Sequence, residues 1–338
     1  MARTSYVPAL VFLCFISGHA AAAQSDVVAR DDAGRTRQLA APAERVLAAG
    51  APAEVLLVTL APQHLVALNR EPSPAARRFL REDLLPRARI RQLPETDDAS
   101  RDADAIALKP DLILDYGSVH ADYVVRADAI EARLHVPYLV FDGSLARIPD
   151  AYRRIGPLVG AEARGNELAA LAQRLLDKTH GLFAQAPARR VYVTDSADGL
   201  SPVFTDFGAS EIFAWLGLQN VAGALGDAKT LPIDFAQVEQ WQPDAIFALD
   251  AALPARAVAD ARWQRLGAVR AGRIHVAPRL PFDWMARPPS VNRLLGLVWV
   301  AMVSSPPDQR AGFERDLREL LTTLLQRELT AEELQALL

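Results

Sequence analysis

One irregular stretch near the end of the chain carries side chains suited to holding a ligand. Residues 279–290 bring together Phe282, Trp284 and Arg287, among several prolines. An aromatic face can bury the apolar skirt of a chelate, and a guanidinium can donate paired hydrogen bonds to a carboxylate or an oxyanion. We therefore predict that this stretch is one wall of a binding site. The alternative is that Trp284 packs beneath the loop.

Other candidates follow the predicted strands. Ligands of open α/β sheets bind beyond the carboxyl ends of the strands, so the loops at those ends are the places to look. Arg70, after the second parallel strand, is placed to meet an anionic ligand, although a solvated basic surface is the alternative. The same rule selects five further side chains as candidate ligand contacts, namely Tyr116, Ser118, His120, Phe207 and Ser210.

Neither a metal site nor an active site is predicted. The histidines after position 60 are scattered, with no pair at the i, i+4 spacing of a helical metal site. The chain has no G-x-S-x-G elbow, phosphate-binding loop, H-E-x-x-H motif or dinucleotide-binding glycine fingerprint. Asp195 and Asp198 flank Ser196, but no base partner is specified. We predict no catalytic residue, no cofactor and no metal ligand.

Composition and the N-terminus indicate an exported protein. The net charge of −4 over 338 residues argues against a nucleic-acid partner, which would require a basic surface. Arg3, the apolar run Tyr6–Ile16 and the small residues Ala21–Ala23 form the pattern of a cleavable signal, predicted as residues 1–23. The only cysteine, Cys14, lies in that signal, so the mature chain has no disulfide or thiolate site. We expect a soluble periplasmic protein that does not insert into the membrane.

Two stretches of the chain resemble each other. Leu108-Lys109-Pro110-Asp111 and Trp241-Gln242-Pro243-Asp244 each follow a segment with helical spacing, and each precedes a short apolar run. Proline cannot extend a helix, and it biases the residue before it away from helical geometry. Each stretch therefore predicts a helix-to-strand turn of an α/β sheet. One such turn in each half suggests two similar lobes with a cleft between them.

The remaining pattern supports this α/β architecture. Short apolar strands alternate with helices at the intervals of β-α-β units, which form parallel sheets. Residues 26–39 predict a small hairpin before the first parallel strand. Between the halves, residues 162–183 carry leucines at helical spacing and predict a long helix that crosses from one lobe to the other. Asp308 is predicted to cap a later helix, and Thr330 with Glu333 a short final one.

With these parts placed, the chain resembles the exported substrate-binding proteins of ABC importers for iron-siderophores, haem, cobalamin and some metal oxyanions, the class III or helical-backbone type. The points of resemblance are spread over nearly the whole mature chain. They are residues 31–35, 45–48, 107–113, 155–160, 263–274, 281–284 and 287–297. The resemblance implies two Rossmann-like lobes with parallel sheets, joined by one long α-helix, with a ligand cleft between them.

The domain organisation follows from that architecture. We predict a signal peptide (1–23), an N-terminal lobe (24–148), connecting helices (149–186), a C-terminal lobe (187–304) and C-terminal helices (305–338). The expected function is capture of an iron-siderophore or related metal complex. A metal oxyanion such as molybdate or tungstate, or haem, is the alternative ligand, and an exported enzyme on the same fold is a less favoured alternative.

The resemblance also implies a partner. Such proteins deliver their ligand, as monomers, to a transmembrane permease that is driven by an ATPase, and each lobe of well-known relatives presents a glutamate to permease arginines. Here Ala236 stands at the second-lobe position and Ala103 near the first. The neighbouring acidic residues are therefore the candidate docking residues, namely Asp102, Asp104, Asp234 and Glu239.

Overall fold

The computed structural model describes residues 27–93, 98–186, 190–203, 208–225, 233–285 and 287–338. The predicted signal peptide lies outside these residues. The strands are β1 Val27–Arg30, β2 Thr36–Leu39, β3 Val46–Ala48, β4 Ala67–Leu68, β5 Ala88–Arg89, β6 Leu112–Gly117, β7 Tyr138–Asp142, β8 Arg190–Thr194, β9 Gln219–Asn220, β10 Ala245–Ala248 and β11 Ile274–Val276.

The helices are interleaved with these strands, as expected for an α/β protein. They are α1 Ala51–Leu60, α2 Pro74–Arg77, α3 Ala99–Ala107, α4 Ala121–Leu134, α5 Ile148–Leu158, α6 Glu162–Thr179, α7 Ala209–Leu216, α8 Phe235–Trp241, α9 Leu253–Ala259, α10 Gly267–Arg270, α11 Arg293–Ser304, α12 Pro307–Leu325 and α13 Ala331–Leu337.

The first half forms a parallel sheet in the order β3-β6-β7. Leu47 of β3 faces Ile113 of β6, and Ile113 faces Tyr138 of β7. All three side chains are buried. Continuous apolar strands of this kind are typical of parallel sheets covered on both faces. β4 pairs with β5 in parallel beside this sheet, and β1 with β2 forms the predicted antiparallel hairpin.

The second half forms a separate parallel sheet in the order β11-β10-β8-β9. Ile246 in the middle of β10 lies between Tyr192 of β8 and Ile274 of β11. Helix α7 follows β8 and ends at Gly217, whose φ of +76° is the left-handed geometry that glycine adopts most readily. The protein therefore contains two parallel α/β lobes, which confirms the predicted fold class.

The two Pro-Asp turns play the same structural part in the two sheets. Asp111 accepts hydrogen bonds from the backbone N–H of Glu44 and of Arg45, at 2.9 and 3.0 Å, just before β3. Asp244 accepts one from the backbone N–H of Arg190, at 2.9 Å, at the start of β8. Each aspartate thus holds the beginning of the neighbouring strand by hydrogen bonds to its backbone. This shared role explains why the turn occurs once in each lobe.

Helix α6 connects the two halves. Its 18 residues span about 27 Å, and its leucines are buried against α5, α11 and α12. It ends at Thr179, earlier than the predicted Phe183, because the backbone N–H of Gly181 donates to the carbonyl of Trp215 in α7 instead of continuing the helix. One buried apolar cluster includes residues of both lobes and of these helices.

The C-terminal helices pack back onto the N-terminal lobe. The side chain of Gln326, just after α12, donates to the carbonyl of Thr59 in α1, at 3.2 Å, and Arg327 donates to the carbonyl of Arg78 at 3.2 Å. The predicted capping box of Thr330 and Glu333 is confirmed at the start of α13. The predicted cap at Asp308 is wrong, because Pro306 occupies the cap position and Asp308 lies in the first turn of α12.

Candidate functional site

A cleft of about 550 Å³ lies between residues of the two lobes. Its N-terminal wall comes from the start of α1 and from the loop and helix after β4. Its C-terminal wall is the irregular segment that follows β11. The lining residues are Ala51, Glu54, Val55, Arg70, Glu71, Pro72, Ser73, Ala76 and Leu80 on one side, and Arg279 to Asp283 with Arg287 and Pro288 on the other. The cleft thus lies at the carboxyl ends of parallel strands, as expected for this fold.

Trp284 is packed beneath the C-terminal wall of the cleft. Its side chain is 0% exposed, and its indole N–H donates to the carbonyl of Leu280 at 2.7 Å. A Cβ added to Gly296 of α11 would lie 2.3 Å from the carbonyl oxygen of Trp284, so the segment rests directly on that helix. The expectation that Trp284 forms an aromatic face of the cleft is therefore corrected, because the indole has no surface left for a ligand.

Phe282 and Arg287, two of the candidate ligand contacts, lie on the cleft. Phe282 is half-buried and offers the aromatic surface of the C-terminal wall. The Arg287 side chain is 63% exposed, and its guanidinium pairs with the carboxylate of Asp195, which follows β8. Asp195 therefore orients Arg287 without burying it, so the guanidinium can still donate to an anionic group in the cleft.

Two further arginines line the cleft. Arg70, a candidate ligand contact, comes from the N-terminal lobe and is exposed. Arg279 comes from the C-terminal lobe and lies 3.7 Å from the buried carboxylate of Asp283. With Arg287, guanidinium groups from both lobes border one space. A ligand with anionic oxygens could contact both walls at once.

Glu54 is a cleft residue that the sequence reasoning missed. It lies in the first turn of α1, and its carboxylate accepts a hydrogen bond from the backbone N–H of Asn69. Burial raises the pKa of Glu54, an effect that nearby Arg70 and Arg89 partly offset. Glu54 comes four residues after Gly50, which follows the parallel strand β3. The rule that ligands bind beyond the carboxyl ends of strands could therefore have identified Glu54 from the sequence.

Glu71 is the second glutamate of the N-terminal wall and has a different environment. Its carboxylate pairs with Arg77 and with Arg89, the latter at 2.7 Å. The hydrogen bond from Arg89 lowers the pKa of Glu71. Glu71 is thus a surface residue whose charge is already compensated, whereas Glu54 is enclosed by the wall.

The other predicted contacts do not line this cleft. Tyr116 is fully buried, and its hydroxyl has no hydrogen-bond partner among the described residues. Burial also raises its pKa. Ser210 is buried at the start of α7, and we correct our expectation that either residue contacts a ligand. Ser118 and His120 precede α4 away from the lining residues, and Phe207 lies outside the described residues.

Arg293 makes polar contacts with residues of both lobes. This side chain is fully buried at the start of α11, where it pairs with Glu211 of α7 and donates to the carbonyl of Gly143 after β7. Glu211 also accepts from the backbone N–H of Leu145, at 3.3 Å. The side chain of Ser290 adds a bond of 2.6 Å to the carbonyl of Pro52. These polar links join the lobes at one place and restrain their separation.

The candidate docking residues differ in whether their carboxylates already pair with another described residue. Asp102 pairs with Arg133 at 2.8 Å, and Glu239 pairs with Arg265 at 2.8 Å. Asp234 accepts from the backbone N–H of Gln237 and caps α8. Asp104 is exposed on α3. A partner's arginine would have to compete with an existing bond at the first three positions.

The described residues contain neither a cluster suited to a metal ion nor a helix suited to crossing a membrane. Across the ranges from 27 to 338 that the structure describes, no group of three or more histidine, cysteine, aspartate or glutamate residues could hold a metal ion. None of the helices formed by those residues has the length and apolar character needed to cross a membrane.

Comparison with known proteins identifies the class of protein that this fold defines. The family model described as "Periplasmic binding protein" matches residues 101–279, which is more than half of the chain. The chain belongs to that family. A search of the curated proteins gave no match.

Solved structures of periplasmic and solute-binding proteins share the fold. An ABC transporter solute-binding protein from Sulfurospirillum deleyianum has a TM-score of 0.78 at 21% identity, covering 92% of this chain and 98% of its own. The TroA-like periplasmic binding protein FepB from Veillonella parvula has a TM-score of 0.71 at 17% identity, covering 90% and 97%. The molybdate-bound MolA of Haemophilus influenzae has a TM-score of 0.68 at 15% identity, covering 90% and 99%. The family and these structures are described as binding proteins.

Proposed function

We propose that this protein captures an iron-siderophore or a related metal complex in the periplasm and delivers it to an ABC permease. The observation that carries the proposal is the cleft, which is bordered by arginines of both lobes and by the face of Phe282. Guanidinium groups pair with the anionic oxygens of a chelate, and an aromatic face covers its apolar skirt. The ligand contacts we assign are Arg70, Arg279, Phe282 and Arg287.

The size of the cleft favours a chelate over a simple oxyanion. Its volume of about 550 Å³ lies within the usual range of about 300–1,000 Å³ for sites that hold drug-sized molecules. MolA, which shares the fold, is described as bound to molybdate. A tetrahedral oxyanion has only five heavy atoms, however, and would leave most of this cleft to water.

Haem is a weaker alternative because of the residues that line the cleft. Protein-bound haem iron takes an axial ligand such as histidine, tyrosine, cysteine or methionine. None of the described residues lining the cleft is of these types. Of the candidate ligand contacts, Tyr116 and His120 have side chains that can ligate haem iron, but Tyr116 is buried and His120 lies outside the lining.

Delivery to a permease is the second part of the proposal. The signal-like N-terminus supports export through cleavage after residue 23, and the family match supports a periplasmic site of action. We propose that the protein acts as a monomer and that acidic residues of both lobes, Asp104 foremost, contact the permease. An ATPase on the other side of the membrane would drive transport.

Purification from the native host followed by native mass spectrometry tests the proposal. We expect the intact protein to carry a bound iron chelate, which is released on unfolding. The purified apo-protein should then be stabilised against thermal unfolding by that chelate. At a chelate concentration of about 100 times Kd, binding adds about 2.7 kcal/mol to the free energy of unfolding. Chemical turnover of the bound molecule without the transporter would instead indicate an enzyme.

A further inference from the structure

Glu54 is a carboxylate held in a fixed place within the cleft wall. It lies on the first turn of α1 among the lining residues. One carboxylate oxygen accepts from the backbone N–H of Asn69, so rotation of the group is restricted. Among the described residues no hydrogen bond to the other oxygen is present, so that oxygen can accept one from a ligand in the cleft. An acceptor held by the backbone costs little ordering entropy when a ligand binds to it.

Each arginine of the cleft has an acidic neighbour. Arg287 pairs with Asp195, Arg279 lies beside Asp283, and Arg70 acts electrostatically on Glu54. The cleft is therefore a space of mixed charge rather than a purely positive one. A small dianion placed there would be attracted by a guanidinium and repelled by a carboxylate nearby.

We propose that Glu54 is a specificity-determining residue: it accepts a hydrogen bond from an N–H or O–H group of the bound chelate and repels small divalent oxyanions. This inference rests on the proposed function, because it assumes that the cleft between the lobes holds the ligand. It narrows the ligand class to chelates that present a hydrogen-bond donor at their periphery, opposite the oxygens that the arginines bind.

Glu54→Gln is the variant that tests this inference. Glutamine has the same size and keeps the bond from Asn69 through its carbonyl oxygen. Its NH₂ group would then face the cleft, so that a donor on the ligand meets a donor on the protein. Glu162→Gln is the matched control, because Glu162 also lies in the first turn of a helix, α6, but is exposed and does not line the cleft.

Two kinds of probe separate the two effects of Glu54. Sodium tungstate binding is measured by isothermal titration calorimetry. A ferric tris-catecholate, a ferric tris-hydroxamate and ferric citrate are compared by thermal stabilisation, followed by titration of the best one. We expect Glu54→Gln to bind tungstate about tenfold more tightly, because a charge within several ångströms of the dianion is lost. It should bind the best chelate about tenfold more weakly, because one hydrogen bond to a charged group is lost.

The outcomes distinguish this inference from the proposed function. If the chelate binds the wild type but tungstate and chelate affinities do not change in Glu54→Gln, the role of Glu54 is overturned and the proposed function stands. The role is also overturned if Glu162→Gln reproduces both changes. If no ferric chelate stabilises the wild type, or if the wild type binds tungstate more tightly than any chelate, both the proposed function and this inference are overturned.

Discussion

Asp111 and Asp244 are equivalent residues in the two lobes of this protein. Each follows the proline of a helix-to-strand turn, and each carboxylate accepts backbone N–H bonds at the start of the adjacent parallel strand. In both turns the residue before the proline has a positive φ, 48° at Lys109 and 43° at Gln242. In each lobe, therefore, the same short sequence ends a helix and begins a buried strand in register.

This equivalence predicts similar effects of substitution. Asp111→Ala should lower the free energy of unfolding by about 1–2 kcal/mol, because two backbone donors lose their acceptor, and Asp244→Ala by about 1 kcal/mol. Urea unfolding followed by circular dichroism measures both. Asp122→Ala, on the exposed first turn of α4, is the control and should change stability little. Equal stability of all three variants and the wild type would contradict the assigned role.

The arginines of the two walls should contribute to binding together. Arg287→Ala and Arg70→Ala are each expected to weaken the bound chelate by about 10- to 100-fold, because each removes a charge-assisted hydrogen bond. Titration calorimetry with the chelate recovered from the host provides the measurement. Arg262→Ala is the control, since Arg262 lies outside the cleft lining, where it pairs with Asp260 and lies over the ring of Phe235. Unchanged affinity in both cleft variants would show that the ligand binds elsewhere.

Close packing beneath the C-terminal wall can be tested at Gly296. A methyl group there would overlap the carbonyl oxygen of Trp284. Gly296→Ala should therefore lower the free energy of unfolding by about 1–3 kcal/mol or more, and it should weaken ligand binding by displacing the wall. Gly267→Ala is the matched control, because no heavy atom lies within 4 Å of its added Cβ. Equal melting temperatures of the two variants would refute the assigned contact.

His275 should make stability depend on pH in mildly acidic solution. Its imidazole is packed beside Phe247 and Trp299, and burial lowers its pKa from the usual 6.5, as do Arg310 and Arg273. The unfolded chain therefore binds this proton at a higher pH than the folded one does. The free energy of unfolding should fall as the pH drops below about 6.5 toward the lower pKa of the folded state.

His275→Phe removes that proton-binding site. The free energy of unfolding of the variant should therefore depend less on pH than that of the wild type. The measurement is urea unfolding of both proteins across the interval from about pH 7.5 to about pH 5.5, where histidine is the side chain that normally titrates. An identical slope in wild type and variant would mean that His275 does not carry the effect.

Local signals explain why the fold could be predicted from the sequence. The Pro-Asp turns, the apolar strands and the leucine spacing of α6 are properties of short segments, and backbone geometry acts on such segments directly. The predicted cap at Asp308 was wrong for a local reason, because Pro306 occupies that position, but the predicted end of α6 was wrong because of a distant contact. Helix α6 stops at Thr179 because Gly181 bonds to Trp215, which lies more than thirty residues further along the chain.

The chain by itself determined the two-lobed α/β architecture and the segments that border the cleft, because both follow from local periodicity and from the rule that parallel strands end at one edge. Only the tertiary structure decided which side chains on those segments face the cleft. The indole of Trp284 turns inward, where its N–H donates to the carbonyl of Leu280, and its backbone carbonyl lies against Gly296 of α11. Glu54 lines the cleft with one oxygen bonded to the backbone N–H of Asn69. Such orientations depend on residues brought together only by folding, so residue type and spacing alone could not assign them.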